Sequence, residues 1–201
     1  LHPELSVITN IGMDHTDLLG NTLEAIALEK AGIIKEGVPV VISERQQELD
    51  KLFQKVAGER NSMICFASDH YKVLEEEKHV KVLKDEKILL DNVSFPLKGQ
   101  YQKKNLPGVC QTIELLQQKG MVIDNTALRS GLETVDILTG LKGRGQILGD
   151  RPLTICDTGH NEEGIREVLS QISLQKFDTL HVVLGMVKDK DIGKVLKLLP
   201  G

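Results

Sequence analysis

The chain has little cysteine and no excess of positive charge. Its three cysteines, Cys65, Cys110 and Cys156, lie far apart among 201 residues, and no pair has CxxC spacing. We therefore expect buried free thiols in a reducing compartment, the cytoplasm, rather than a zinc site or a catalytic thiol. A net charge of −4 argues against binding to nucleic acid or to a membrane surface, since both partners require a basic patch. No apolar run approaches the roughly 20 residues that span a bilayer.

Common catalytic motifs are also missing from the sequence. It has no GxxxxGK(S/T) phosphate loop, no GxSxG nucleophile elbow and no HExxH metal motif. Residues 143–149 are rich in glycine but lack the lysine and the preceding strand of a phosphate loop. The chain begins with Leu1 and His2 rather than a start methionine, so we expect that it begins inside a larger protein.

The sequence does contain apolar runs that alternate with helical periodicity. Two regions, 21–34 and 49–58, have apolar residues at helical spacing, and the pair Asn21 and Glu24 predicts an N-terminal cap for the first. Three short apolar runs flank these regions and predict buried strands: Val7–Ile11, Val38–Ser43 and Met63–Phe66. Strands that alternate with helices predict a parallel sheet with crossover helices.

The pattern changes after residue 70. Short β-type runs between charged turns predict antiparallel hairpins over residues 70–98. Two helices are predicted next, at about 106–119 and 126–137. Pro107 stands near the start of the first, where its missing N–H costs little.

The last third of the chain resumes the alternation after a segment rich in glycine at residues 139–152. We predict strands at 153–156 and 180–184 and helices at about 162–172 and 190–199. Two strand–helix units leave sheet edges unpaired, so this unit is expected to be cut short. The predicted organisation is α/β, with residues 1–140 and 152–201 as partial domains and residues 141–151 as the linker between them.

Polar side chains follow two of the predicted strands. Asp14 and His15 follow the first strand, and Asp157 and His160 follow the strand that ends at residue 156. Ligands of open α/β sheets bind at the carboxyl ends of strands, so these loops are candidates for binding a divalent metal or a phosphate group. Alternatively, each Asp caps the next helix and each His is a solvated loop residue. One such loop in each half favours a site between the two units.

Lys30 lies on the apolar stripe of the predicted helix 21–34, at i+4 from Ile26 and i+3 from Ala27. A lysine there must extend to solvent, pair with an acid, or be chemically altered. A carbamate formed with carbon dioxide would turn this cation into an anion that binds metal. Arg144, between Gly143 and Gly145, is either a phosphate-binding guanidinium or an exposed linker residue.

These residues resemble the folylpolyglutamate synthase and dihydrofolate synthase family, a branch of the Mur-type ligases. The segments ITNIGMDH (8–15), LGNT (19–22) and EKAGIIK (29–35) are similar to the signature of that family. Further segments match in family order: Gly99 with Tyr101, Gln102 and Asn105; Gly143-Arg144; Asp157 with His160 and Asn161; and Gly185-Met186 with residues 189–191. The matches run along the whole chain.

The resemblance implies a fold and an activity. The fold would be the C-terminal part of a Mur-ligase-type central ATPase domain, with a parallel sheet and small antiparallel hairpins, followed by the start of a Rossmann-like C-terminal domain. The activity would be an ATP-dependent amide-bond ligase that adds L-glutamate to a folate or dihydropteroate acceptor through an acyl phosphate. Family members are usually described as monomers.

The resemblance also implies roles for individual residues. His15 would bind the second Mg²⁺, and Lys30 would be a carbamylated lysine near the metals. Gln102 and Asn105 would contact the adenine end of ATP. A final group would reach ATP across the cleft between domains: Arg144 and Asp157, with His160 near the phosphates.

Three departures from the family pattern accompany these matches. The phosphate loop and the glutamate expected to share the second Mg²⁺ would both precede Leu1, and Gly145 replaces a larger apolar residue. The first two departures predict weak ATP binding and no ligation by this chain alone. Three alternatives stay open: another Mur-type ligase, a noncatalytic nucleotide-binding module, and a metal-dependent hydrolase that uses Asp14, His15, Asp157 and His160.

Overall fold

The computed structural model describes residues 2–13, 20–76, 79–97, 99–159, 162–186 and 192–200. Its elements in chain order are β1 (Ser6–Ile8), α1 (Leu23–Ala31), β2 (Val40–Ile42), α2 (Asp50–Glu59), β3 (Ile64–Phe66), α3 (Ala67–His70), β4 (Tyr71–Glu76), β5 (His79–Lys84), β6 (Lys87–Val93), α4 (Gln100–Gln118), α5 (Asn125–Glu133), α6 (Val135–Thr139), β7 (Gln146–Asp150), β8 (Leu153–Cys156), α7 (Glu162–Ser173) and α8 (Ile192–Leu196). None of the helices in these ranges is both long enough and apolar enough to cross a membrane.

A parallel sheet forms the first layer of the fold. Its strand order is β1-β2-β3, with Ile8 beside Ile42 and Ile42 beside Phe66. Every residue of β2 is buried, as expected of a central strand covered on both faces. Ile26 of α1 and Phe53 of α2 pack in the same core. The predicted alternation of strands and helices is therefore confirmed.

The start of α1 differs from the prediction. The capping residue is Thr22, whose Oγ1 accepts a hydrogen bond from the Ala25 N–H at 3.1 Å, so the predicted cap Asn21 is wrong. The helix ends at Ala31, and the N–H of Ile34 donates to the Ala31 carbonyl in the turn that follows. These bounds place Ile26 and Ala27 in the core.

An antiparallel sheet of β4, β5 and β6 follows, in that order. Its inner face packs on α4 and α5 through residues such as Val82, Val93 and Leu128. The antiparallel hairpins predicted for residues 70–98 are confirmed. Within this sheet, β4 has a weak apolar pattern, because only Tyr71 among its residues is fully buried and most of the others are exposed.

Glu114 of α4 ties the antiparallel sheet to that helix. Its carboxylate accepts hydrogen bonds from Tyr71 Oη at 2.7 Å and Lys84 Nζ at 2.5 Å. Burial raises the pKa of the Glu114 carboxyl, but the hydrogen bonds from Lys84 and Tyr71 outweigh burial, so its pKa is below the usual value. The ionised form is therefore the one that the fold stabilises.

Acid is expected to weaken this tie. A carboxyl whose folded pKa is lowered stabilises the fold above its unfolded pKa of about 4.3, and this contribution is lost as pH falls through the folded pKa. Glu114→Gln should lower the unfolding free energy near neutral pH by about 1–3 kcal/mol and should reduce its dependence on pH below about 4.5. Urea unfolding across this pH range tests both effects. The control is Glu59→Gln, because Glu59 forms an exposed ion pair with Lys55, and this variant should behave like the wild type. Equal acid sensitivity of the wild type, Glu114→Gln and Glu59→Gln would contradict the prediction.

Helix α4 begins at Gln100, six residues before the predicted start, and Pro107 lies in its interior. The prediction that Pro107 stands near the start of the helix is wrong. Leu106, Cys110 and Leu115 are all buried, so apolar packing continues on both sides of the proline and holds the helix together. An interior proline also leaves one carbonyl without its helical partner.

The end of α4 depends on a glycine. Gly120 has φ +92°, and the Met121 N–H donates to the Leu116 carbonyl at 3.0 Å. Gly120→Ala should lower the unfolding free energy by about 1 kcal/mol because alanine is strained in the left-handed region. The matched substitution is Gly131→Ala in the exposed interior of α5, where an added Cβ meets nothing within 4 Å, and it should raise stability by about 0.5–1 kcal/mol. Chemical denaturation measures both changes, and two shifts of the same sign would contradict this explanation.

The C-terminal part differs most from the sequence-based expectation. β7 occupies residues 146–150 inside the predicted linker 141–151 and pairs antiparallel with β8. Within the described residues, these two strands pair only with each other. No strand forms at 180–184, where Val183 is fully exposed, because that segment pairs with no neighbouring strand in the described ranges. The predicted strand at 180–184 is therefore wrong, and the assignment of residues 141–151 as the linker between domains stays a prediction.

The cysteines are free in the structure. Cys110 is buried, and Cys65 and Cys156 are partly buried. Burial raises the pKa of the Cys110 thiol to about 12 and raises the pKa of Cys65 as well. Both thiols therefore stay protonated near neutral pH, as expected of packing residues rather than nucleophiles.

Candidate functional site

A cleft of about 280 Å³ lies beside the carboxyl edge of the parallel sheet, with further walls from the start of α4 and from loops of the C-terminal part. The sheet contributes Thr9, Asn10 and Glu44. Three of the predicted site residues line the same cleft: Gln102, Asn105 and Arg144. These residues are far apart in sequence, and the fold brings them together.

The sheet side of the cleft is held by backbone pairing beyond the strand ends. The Glu44 N–H donates to the Thr9 carbonyl at 3.0 Å. The Gln46 side chain continues this pairing, since its Oε1 accepts from the Ile11 N–H at 2.8 Å and its Nε2 donates to the Ile11 carbonyl at 2.9 Å. The segment that leads into the polar loop after β1 therefore has a fixed backbone up to Ile11.

Lys30 reaches this wall of the cleft from α1. Its side chain is partly buried, and Nζ donates to the Asn10 carbonyl at 3.2 Å. The Lys30 amine therefore contacts a backbone oxygen of the cleft wall, a partner outside the three outcomes expected from the sequence. The predicted carbamate stays a prediction.

The loop that carries Arg144 is shaped by its two flanking glycines. Gly143 and Gly145 have φ values of +69° and +66°, in the left-handed region that favours glycine. A Cβ on Gly143 would lie 2.6 Å from Thr158 Cγ2. The Gly145 N–H donates to Asp157 Oδ2 at 2.7 Å. A residue larger than glycine would strain the backbone at position 145, which explains why glycine stands here in place of the apolar residue of the family pattern.

Tyr101 connects α4 to this loop. Arg144 Nη1 lies 3.5 Å from Tyr101 Oη, and the guanidinium carbon is 5.8 Å from the tyrosine ring centre. Tyr101 Oη in turn lies 3.3 Å from Asp157 Oδ2. Tyr101 belongs to one of the segments that resemble the family, but the resemblance implies no role for it. Its place between a cation and a carboxylate makes it a site residue that pattern alone did not identify.

Asp157 is engaged by protein groups on both of its oxygens. Oδ2 accepts from Gly145 and Tyr101, and Oδ1 accepts from the Gly159 N–H at 2.8 Å. The carboxylate therefore orders the loops at residues 143–145 and 157–159 in this structure. Its predicted contact with ATP stays a prediction.

Other predicted site residues lie outside the described residues: His15 and His160, together with Asp14, Asn161 and residues 188–191. Among the residues that are described, no group of three or more His, Cys, Asp or Glu side chains is placed to hold a metal ion. The predicted metal ligand His15 and the predicted phosphate neighbour His160 therefore stay predictions.

Two further cavities border the C-terminal part. A space of about 570 Å³ is lined by Met13 and by α7 residues that include Arg166 and Glu167, and Glu167 also lines the cleft. A second cavity of about 330 Å³ has mostly apolar walls, which include Phe95, Ile147 and Ile155. The cleft thus has additional space beside it along α7.

Comparisons with known proteins identify relatives of this chain. No protein-family model matches it. A dihydrofolate synthase/folylpolyglutamate synthase from Bacillus subtilis (strain 168) is 33% identical over 206 residues, which cover 99% of this chain and 47% of that protein. The chain is homologous to the folylpolyglutamate synthase and dihydrofolate synthase family. It spans about half the length of the curated relatives it matches.

Solved structures of folylpolyglutamate synthase and dihydrofolate synthase proteins share the fold. E. coli FolC in complex with DHPP and ADP is 27% identical, with a TM-score of 0.77 over 96% of this chain and 44% of that chain. A bifunctional folylpolyglutamate synthase/dihydrofolate synthase with Mn, AMPPNP and L-glutamate bound is 26% identical, with a TM-score of 0.75 over 96% of this chain and 44% of that chain. The predicted α/β fold of this ligase family is confirmed.

Proposed function

We propose that this chain forms the nucleotide cleft of an ATP-dependent ligase that joins L-glutamate to a folate or dihydropteroate acceptor. The convergence of Gln102, Asn105 and Arg144 on one cleft is the observation that supports this most directly. The resemblance assigns all three residues to ATP. One of the homologous structures holds ADP and DHPP, and another holds Mn, AMPPNP and L-glutamate. A nucleotide, a divalent metal and L-glutamate are the kinds of ligand that the proposed reaction requires.

The cleft suits a nucleotide in its chemistry. Gln102 and Asn105 offer amide groups that can donate to and accept from the edge of a base. Arg144 offers a guanidinium, which matches the geometry of phosphate oxygens. Tyr101 and the two glycines beside Arg144 hold that loop in place. The protein groups are thus preorganised before the nucleotide arrives, which reduces the cost of binding.

The divalent metal that we assign to this site is Mg²⁺. Thr9, Asn10 and Glu44 bring oxygen-bearing side chains to the sheet side of the cleft, and oxygen is the ligand type that Mg²⁺ prefers. We assign His15 to one metal ion and His160 to the neighbourhood of the phosphates. When bound, Mg²⁺ supplies positive charge that stabilises the transferring phosphoryl group.

The hydrogen bond that Lys30 makes now is compatible with carbamylation of its amine. A neutral amine that combines with carbon dioxide forms a carbamate and releases one proton, and the nitrogen keeps one N–H. That N–H can still donate to the Asn10 carbonyl that Lys30 contacts now. The carbamate would thereby place an anion next to the oxygen-bearing side chains of the cleft.

The reaction proceeds in two steps under this proposal. The acceptor carboxylate attacks the γ-phosphorus of ATP, which gives an acyl phosphate and ADP. The glutamate amine then attacks the acyl carbon, phosphate leaves, and an amide bond forms with loss of a proton. The protein contributes mainly position and charge: Arg144 faces the phosphates, and the amides of Gln102 and Asn105 hold the base.

The test is a ligation assay on the protein at its natural length. We expect release of ADP and phosphate that requires ATP, L-glutamate, a divalent metal and either folate or dihydropteroate. Comparing the two acceptors decides between folylpolyglutamate synthase and dihydrofolate synthase, and gel filtration tests the proposed monomer. Fractionation of cells tests the proposed cytoplasmic location. Phosphoester hydrolysis with metal and without ATP would favour the hydrolase alternative, and nucleotide binding without turnover would favour a noncatalytic module.

A further inference from the structure

A buried serine joins the parallel sheet to α4. Ser43 follows β2, is fully buried, and its N–H donates to the Ile8 carbonyl at 2.8 Å. The Gly108 N–H donates to Ser43 Oγ at 3.1 Å, and Oγ lies 3.3 Å from the Lys104 carbonyl oxygen. In an α-helix the N–H of residue 108 points to the carbonyl of residue 104. The serine hydroxyl therefore lies beside one step of the helical ladder and binds both of its groups.

The residues at that step make room for the hydroxyl. Pro107 has no N–H and its ring crowds the carbonyl of Lys103. Gly108 has no side chain, and a Cβ there would lie 2.5 Å from Ser43 Oγ. Helices bend at interior prolines and where a side chain inserts into the ladder, and both features coincide here. We call residues 100–106 the arm of α4 and residues 108–118 its stem.

The arm and the stem have different surroundings. The stem packs in the protein interior through Cys110 and Leu115. Among the described residues of the arm, Leu106 alone packs in the core, and the arm carries Gln102 and Asn105 into the cleft. On the arm, Lys104 Nζ also lies 3.6 Å from Glu167 of α7. The step held by Ser43 thus lies between the stem and the segment that presents Gln102 and Asn105 to the cleft.

We propose that Ser43 is a positioning residue for the nucleotide site. Its hydroxyl sets the direction of the arm and so holds Gln102 and Asn105 at the places where the base of ATP binds. This inference rests on the proposed function and assigns Ser43 no contact with ATP or with the reacting atoms. Because Ser43 is anchored in the sheet beside Ile8, it also fixes the arm relative to the sheet wall of the cleft.

The experiment compares three variants of the protein at its natural length. Ser43→Ala removes only the hydroxyl, and we expect the KM for ATP to rise about tenfold while kcat changes less than about twofold. Pro107→Ala leaves Ser43 in place but restores an N–H to the ladder, and the KM for ATP should rise here too. Ser6→Ala is the matched control. Ser6 is also a buried serine, and its Oγ donates to the Ile33 carbonyl at 2.9 Å. It is the first residue of β1, at the end of the strand away from the cleft.

Thermal unfolding of all three variants separates position from stability. If Ser43→Ala and Ser6→Ala lose similar stability but only Ser43→Ala and Pro107→Ala raise the KM for ATP, the inference is supported. Equal KM values for ATP in the wild type, in Ser43→Ala and in Pro107→Ala would overturn it. If Ser43→Ala does not fold, Pro107→Ala alone decides. Failure of the wild-type protein to bind ATP would instead overturn the proposed function, and this inference with it.

Discussion

Replacing Gly108 with alanine is expected to lower the free energy of unfolding by about 2–3 kcal/mol, the range typical of overpacking in a dense core. The added Cβ would lie 2.5 Å from Ser43 Oγ and 2.6 Å from Ser43 Cβ. Ser43 cannot retreat easily, because it is fully buried and paired with β1. Urea denaturation measures the loss.

A compensating change and a control make this result specific. Ser43→Gly removes both of the nearest atoms, so the closest remaining neighbour of the new Cβ is the Cα of residue 43 at 3.3 Å. Gly108→Ala should therefore cost much less stability in that background. The two substitutions should therefore be non-additive by about 1 kcal/mol or more. Gly58→Ala, in α2 where an added Cβ meets nothing within 4 Å, should not destabilise the protein. A Gly108→Ala protein as stable as the wild type would contradict the packing described for this joint.

Removing the guanidinium of Arg144 is expected to have the largest effect on the nucleotide site. Arg144→Ala should raise the KM for ATP by about 10- to 100-fold, because each charged hydrogen bond to phosphate contributes about 1.5–3 kcal/mol to the free energy of binding. Arg144→Lys should recover only part of the loss, since lysine keeps the charge but not the planar fork. Steady-state kinetics with ATP as the varied substrate measures both variants at natural length.

The control for Arg144 is Arg60, an arginine that does not line the cleft. Arg60 is exposed at the end of α2, and its carbonyl accepts from the Gly37 N–H before β2. Arg60→Ala should leave the KM for ATP unchanged while removing the same charge. If Arg144→Ala also leaves the KM for ATP unchanged, Arg144 does not bind the nucleotide.

The first half of the fold follows directly from local sequence patterns. Alternating apolar runs predicted β2 and β3, and the spacing of Ile26, Ala27 and Ala31 predicted α1 because these residues share one buried face. The start of α4 could not be predicted in the same way. Proline usually marks a helix start, and the partner that accommodates Pro107 and Gly108 is Ser43, more than 60 residues away in sequence.

Part of the lining of the candidate cleft could be predicted from the sequence, but the contacts between its residues could not. The resemblance pointed to Gln102, Asn105 and Arg144, which line one cleft. The link through Tyr101 depends on tertiary contacts that no spacing encodes. The glycines at 143 and 145 predicted a linker, but their spacing could not show that they form the turn that precedes β7. A strand exists only where a neighbouring strand pairs with it, which the apolar run at 180–184 could not reveal.

The β7–β8 hairpin has a practical consequence for handling the protein. Ile147, Leu148 and Leu153 are exposed on it, and among the described residues its two strands pair only with each other. Open backbone edges next to apolar side chains recruit further strands from other molecules. Concentrated samples of the isolated chain are therefore expected to self-associate and precipitate through this hairpin. Leu148→Lys should keep them in solution without touching the cleft.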